Sequence, residues 1–257
     1  MSKKETISRN IRRVRCKKLN RPTVPQNYED LFDVPENLSQ SIDGNEFLRK
    51  VSWVDDNDHN LGVFMLFISA FGLHLLSSFD AWGIDGTFSI APKLFVQVMI
   101  LSIITPSCKN IPAGFLLLPS KNCYKPAIKS ICEAVGSVSH VNKIMVDYEK
   151  GLINALSSFL PNAQIHGCLF HFKKAIRRQL GMKGCLLLYN DNESFQEAVN
   201  MMMSLFAVPV DHVKIVYEEV IIPYCVAHRN EWERNGYEEE TEEFMAYFER
   251  SYIGLYK

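Results

Sequence analysis

The stretch Trp82-Gly-Ile-Asp85-Gly-Thr-Phe88 decides the fold, because it sets one carboxylate among the apolar residues of a strand. Residues 95–104, which follow it, are rich in Val and Ile, and a Pro-containing turn signal separates them from the apolar run 113–118. We predict three strands, at 82–90, 95–104 and 113–118, that form an antiparallel meander. A charge inside a strand is costly without a compensating group, so Asp85 should meet a cation, a hydrogen-bond donor or water.

Downstream of the meander, helical and β patterns alternate. We predict helices at 126–135, 149–160 and 169–180, and strands at 142–146 and 163–168. The order β-β-β-α-β-α-β-α predicts an α/β fold, a mixed sheet with helices on its faces. The RNase H-like fold has this order. Beyond residue 190 we predict a C-terminal helical extension, with helices at 193–206, 212–222 and 242–252 and breaks at Pro209 and Pro223.

Composition and length bound the class of protein. The chain has 257 residues, of which 47% are hydrophobic and 22% charged, and this excludes a disordered tail, a collagen-like repeat and a disulfide-stapled miniprotein. We predict three segments: a basic arm and polar linker at 1–44, an RNase H-like core at 45–190, and an incomplete helical extension at 191–257.

The charge of the chain is uneven. Residues 1–21 contain nine Lys and Arg against one Glu, although the net charge of the whole chain is −1. This pattern favours an arm that contacts nucleic acid or serves as a nuclear address, and the alternative is a solvated terminus.

Cysteine usage and the first residues favour an intracellular protein. The seven cysteines are an odd number without a Cys-x-x-Cys pair, and no apolar signal segment follows Met1. Residues 61–79 lack a formal charge, so they are long enough to be a candidate membrane span. Because small and polar residues interrupt this segment, we predict instead a strand at 62–68 and a helix at 71–78, and no membrane association.

Two carboxylates are the strongest candidates for chemistry. Asp85 lies within its predicted strand, and Asp147 ends the strand predicted at 142–146. If the two strands are neighbours, the side chains converge as the hard oxygen ligands that Mg²⁺ requires. In the alternative, Asp85 begins a glycine-containing turn and Asp147 caps the next helix.

Cys168 and His171 form a second candidate group at a strand–helix junction. Together with His166 they have the ligand types of a zinc site, but a fourth ligand is missing. We therefore predict that Cys168 and His171 lie beside the two aspartates, where they support the metal ligands or contact substrate. The alternative is a packed cysteine and a hydrogen-bonded histidine.

A basic face is the third candidate. The spacing of the cations on the helix predicted at 169–180 sets them on one side and its apolar residues on the other. The cations are Lys173, Lys174, Arg177 and Arg178. They suit contacts to a phosphate backbone, and the alternative is a solvated surface.

Several motifs, in order, resemble the transposase domain of Mutator-like elements (MULE). They are Trp82-Gly-Ile-Asp85-Gly-Thr-Phe88, Met145-Val-Asp147-Tyr-Glu149-Lys-Gly-Leu-Ile-Asn-Ala155, Gly167-Cys168-Leu-Phe-His171 with the basic helix, and Phe248-Glu-Arg-Ser-Tyr252. The resemblance covers about residues 45–254.

The resemblance implies a DDE-type DNA transposase that cleaves and joins phosphodiesters with two Mg²⁺ or Mn²⁺ ions. Asp85 and Asp147 match the first two acidic residues of the family. The third, a Glu, follows the aromatic stretch in the family and is not identifiable here, so the chain is expected to be truncated. DNA is the expected partner, the nucleus the expected location, and a homo-oligomer is possible. The alternatives are an inactive transposase-derived DNA-binding or interaction module and an RNase H-like nuclease.

Overall fold

The computed structural model describes residues 24–56 and 59–254. The basic segment 1–21 lies outside these residues. By compactness the chain divides into two units, Met1–His166 and Gly167–Lys257. The helix predicted at 169–180 thus belongs to the second unit, and the domain bounds expected from the sequence stay a prediction.

The described part of the first unit is built on a mixed sheet of seven strands, the last of which ends at the unit boundary. Their order in the sheet is β1-β2-β5-β4-β3-β6-β7. The strands are β1 (Leu48–Asp56), β2 (His59–Ile68), β3 (Ala81–Thr87), β4 (Gln97–Ile104), β5 (Asn110–Leu118), β6 (Lys143–Val146) and β7 (Gln164–Gly167). β4 pairs antiparallel with both β3 and β5, which confirms the predicted meander. β6 pairs parallel with β3 on its other side.

Four α-helices accompany the sheet in the described part of the first unit. They are α1 (Glu36–Ser39), α2 (Ala70–Ser78), α3 (Tyr124–Val135) and α4 (Lys150–Phe159). Apolar residues of α2, α3 and α4 pack with alternate residues of the strands, such as Ile84 and Leu101, in one core. The intervening residues, Asp85 and its register partner Ile100, belong to the opposite face of the sheet.

The uncharged segment 61–79 forms most of β2 and all of α2. Ser69 begins α2 as its N-cap, with the hydroxyl accepting the Gly72 N–H at 3.0 Å. Within the described ranges, no helix has both the length and the apolar character to cross a bilayer.

The second unit is helical. Its helices are α5 (Leu169–Met182), α6 (Leu186–Asp191), α7 (Glu193–Ser204), α8 (Val210–Val216), α9 (Ile222–Arg234) and α10 (Glu238–Phe248). Aromatic side chains dominate its core, among them Phe195, Trp232, Phe244 and Phe248. The break predicted at Pro223 is wrong: a π-helical turn, Tyr217–Ile221, joins α8 to α9, and Pro223 lies in the first turn of α9. Proline is tolerated there because the π turn before it already interrupts the regular i→i−4 bonding, with the Ile222 N–H bonded to the Tyr217 carbonyl.

Candidate active site at the ends of strands β3 and β6

Asp85 and Asp147 lie on neighbouring parallel strands. The register pairs Ile84 of β3 with Val146 of β6, and each aspartate is the next residue along the chain. Neighbouring strands lie about 4.8 Å apart, so the backbones of Asp85 and Asp147 lie side by side. The prediction that their strands are neighbours is confirmed.

The surroundings of the two carboxylates differ. Asp85 is exposed and lies within β3, where it pairs with Ile100 of β4, so it does not begin a turn. Asp147 is only 8% exposed, and its Oδ1 accepts the N–H of Glu149 at 3.3 Å. The N-cap of α4 is Glu149 rather than Asp147, so the helix-cap alternative for Asp147 is not what the structure has.

A cluster of polar side chains lies directly behind this edge. Lys121 forms an ion pair with Oε1 of Glu149, and the Tyr124 hydroxyl donates to Oε2 of the same carboxylate. The Tyr124 hydroxyl is also 2.9 Å from Oε1 of Gln97. Burial, and then the hydrogen bond to Glu149, raise the pKa of Tyr124, which keeps its hydroxyl protonated.

Two carboxylates on adjacent strands fit a single Mg²⁺, which is commonly held by one or two carboxylates together with water and substrate phosphates. In the part of the chain that the structure describes, no three His, Cys, Asp or Glu side chains converge as a metal-binding group. Among the described residues, the structure therefore places the two predicted acids on neighbouring strands without a third acid grouped with them.

Cys168 and His171 lie at the start of α5, in the second unit. Cys168 is the N-cap residue of the helix without a side-chain cap bond, and the His171 ring contacts Phe170 edge-on at 5.5 Å. The prediction that Cys168 and His171 lie beside the two aspartates concerns residues of different units and stays a prediction.

The basic face of α5 has the predicted arrangement. Its four cations are exposed, and Phe172, Ile176 and Leu180 are buried in the core of the second unit. The cations are Lys173, Lys174, Arg177 and Arg178. The Arg177 guanidinium lies 5.9 Å from the centre of the Tyr189 ring, a cation–π contact that helps to order it.

Paired carboxylates at the ends of adjacent strands are typical of metal-dependent phosphoryl transfer. Residues 81–175 match the family model of the MULE transposase domain. This match supports the MULE transposase domain that the motifs predicted for this part of the chain. A search of curated proteins found no match.

Sequence reasoning missed the cluster formed by Gln97, Lys121, Tyr124 and Glu149. The available signal was a glycine close to each aspartate, Gly86 in strand β3 and Gly151 in helix α4, because a glycine inside a strand often marks close approach by another group. A Cβ at Gly86 would lie 1.8 Å from Nε2 of Gln97, and one at Gly151 would lie 3.3 Å from Cδ2 of Tyr124.

Proposed function

We propose that the chain provides the core of a DDE-type DNA transposase of the Mutator-like family, in which Asp85 and Asp147 are metal ligands. The parallel register of β3 and β6 supports this proposal, because Asp85 and Asp147 each follow directly on the paired residues Ile84 and Val146. The strand order β5-β4-β3-β6-β7, which begins with an antiparallel meander, supports an RNase H-like core.

The proposed division of work follows from burial and charge. Asp147, held by the Glu149 N–H, and the exposed Asp85 would bind Mg²⁺ or Mn²⁺. A bound divalent ion polarises the phosphodiester and lowers the pKa of the attacking hydroxyl or water. The exposed cations of α5, Lys173 and Arg177 among them, would neutralise DNA phosphates, and the nucleus is the proposed location.

The test is Mn²⁺ binding by the full chain, followed through the EPR signal of free Mn²⁺. We expect the wild-type chain to bind the ion, and Asp85→Asn and Asp147→Asn each to weaken binding at least tenfold. Asp211→Asn, an exposed aspartate of the second unit, is the matched control and should bind as the wild type does. Equal binding by all four proteins would contradict the proposed site.

A catalytically inactive DNA-binding or interaction module is the second candidate. It is favoured by the finding that, among the described residues, no third His, Cys, Asp or Glu joins a metal-binding group. DNA binding that needs the α5 cations, without any Mg²⁺- or Mn²⁺-dependent cleavage, would select this candidate. Metal-dependent cleavage abolished by Asp147→Asn would select the enzyme.

A further inference from the structure

A chain of buried polar contacts runs behind the two aspartates, and the proposed chemistry does not use it. Gln97 is 1% exposed and Tyr124 is 2% exposed, yet both turn polar atoms toward one another in the core. Tyr124 continues to Glu149, and Lys121 joins the second oxygen of that carboxylate. Buried polar groups destabilise a fold unless they are paired, so a polar network in this position indicates a role other than stability.

The network is attached to both acidic strands. On the β6 side, the backbone N–H of Glu149 reaches Oδ1 of Asp147 at 3.3 Å. On the β3 side, the amide of Gln97 packs over Gly86, the residue after Asp85, so closely that a Cβ at Gly86 would have to displace it. Contacts to the two strand ends therefore converge on Tyr124, which lies between Gln97 and Glu149.

Lys121 forms a second link between the same two strand ends. Its ammonium lies 4.9 Å from the centre of the Phe88 ring, three residues after Asp85, while it is ion-paired with Glu149. Lys121 and Tyr124 each bind one oxygen of Glu149, so this carboxylate is engaged as a structural acceptor.

The protons of the network have one consistent order. The Tyr124 hydroxyl has a single proton, and the charged carboxylate of Glu149 is a stronger acceptor than the amide oxygen of Gln97. In the structure Oε1 of Gln97 accepts from Tyr124, and Nε2 is buried over Gly86 without a hydrogen-bond partner. A half-turn of the amide would direct Nε2 to the Tyr124 hydroxyl and Oε1 to Gly86. Gln97 then donates to Tyr124, and Tyr124 donates to Glu149.

We infer that Gln97, Tyr124 and Glu149 are positioning residues that hold the ends of β3 and β6 in the geometry in which Asp85 and Asp147 bind a divalent cation. This inference rests on the proposed function of the two aspartates. The three residues act through Asp147 and Gly86 and do not bind the metal themselves. Removing such an outer partner typically weakens metal binding by about 10- to 100-fold.

The test compares two Tyr→Phe variants of the full chain in the Mn²⁺ titration. Tyr124→Phe removes the central hydroxyl of the network. Tyr224→Phe is the matched control, because it removes a tyrosine–carboxylate hydrogen bond, 2.7 Å from Glu197, in the second unit. We expect Tyr124→Phe to weaken Mn²⁺ binding about 10-fold or more and Tyr224→Phe to leave it unchanged.

Circular dichroism at the temperature of the titration establishes whether the variants are folded. If Tyr124→Phe is not folded, Glu149→Gln replaces it as the network variant. Glu149→Gln keeps the shape of the side chain but weakens both links, so it should also reduce affinity. The positioning role alone would be overturned if Asp147→Asn abolishes Mn²⁺ binding while the folded network variant binds Mn²⁺ within twofold of the wild-type affinity. Absence of Mn²⁺ binding by the wild-type chain would overturn the proposed function as well.

Discussion

Gly86 is the position at which a single added methyl group tests the packing behind the acidic edge. Its φ is not positive, so the backbone of β3 accepts alanine, but a Cβ would lie 1.8 Å from Nε2 and 3.0 Å from Cδ of Gln97. Both distances are inside the 3.4 Å at which ordinary contact begins. The Gln97 side chain is 1% exposed, so it has little room to retreat, and Gly86→Ala must displace the amide.

The expected loss of stability combines three contributions. Losing the Gln97–Tyr124 hydrogen bond costs about 1 kcal/mol, and repacking an overfilled site costs about 1–3 kcal/mol. The lower entropy of the unfolded chain with alanine offsets about 0.4–1 kcal/mol of this. We therefore expect Gly86→Ala to lower the free energy of unfolding of the first unit by about 2 kcal/mol.

Hydrogen exchange of peptides from β3 and β4 in increasing urea measures this unit by itself. Gly181→Ala is the control for the second unit, because its Cβ would meet no atom within 4 Å, and alanine in a helix should be neutral or stabilising. The decisive variant is Gly86→Ala with Gln97→Ala, which removes the overlap. Its loss should be at least about 1 kcal/mol smaller than the two single losses together. Additive losses, or a neutral Gly86→Ala, would refute the packing argument.

Three further predictions concern charge, thiols and activity. Charge reversal by Lys173→Glu and Arg177→Glu should weaken DNA binding. It should also reduce the slope of the logarithm of the DNA association constant against the logarithm of salt concentration by about 0.9 for each phosphate that is no longer neutralised. An unchanged slope would mean that this face is only solvated. Burial raises the pKa of the Cys185 thiol to about 12 and that of Cys225 to about 11 from an ordinary 9.0. Above pH 9 the two thiols ionise in the unfolded chain but not in the folded protein, and this favours unfolding. Their contribution to the free energy of unfolding should therefore be intact below pH 9 and lost as the pH rises toward 11–12. Urea unfolding from about pH 8 to 11 checks the trend. Among the cysteines that the structure describes, alkylation with mass mapping should modify exposed Cys108 first. The chain alone should not perform strand transfer, because a misplacement of about 1 Å at an incomplete metal site can cost 100-fold in rate. Mg²⁺-dependent joining of labelled DNA ends would contradict this last prediction.

Local patterns were sufficient to predict the elements that position the aspartates. Apolar runs rich in Val and Ile, separated by a Pro-containing turn signal, predicted the meander, and helical signals bounded the strand that ends before Asp147. The bounds shifted by a few residues, since 82–90 became Ala81–Thr87, after which the backbone leaves the ladder. Edge strand β1 gave little signal, because its mixture of charged and apolar residues is partly solvated and its pairing with β2 is not local.

The polar network could not be predicted because its members are distant in sequence. Gln97 belongs to β4, Tyr124 begins α3 and Glu149 precedes α4, and each is individually an ordinary residue for its position. Only the sheet order, which inserts β3 between β4 and β6, brings these elements together. Prediction from sequence therefore reached the acids themselves and not the contacts that hold them.

The asymmetry between the two aspartates follows from that network. Asp147 is 8% exposed and receives a backbone N–H from Glu149, whose carboxylate is engaged at both oxygens by Lys121 and Tyr124. These contacts restrain Asp147, so the metal binding proposed for this residue would require little further ordering. Asp85 is exposed on a strand whose next residue, Gly86, has no side chain of its own, so its backbone is located by the packing of Gln97. The packing and hydrogen bonds of the network thus hold the backbone at Gly86, which has no side chain to do so. This explains why polar groups are buried directly behind the two aspartates.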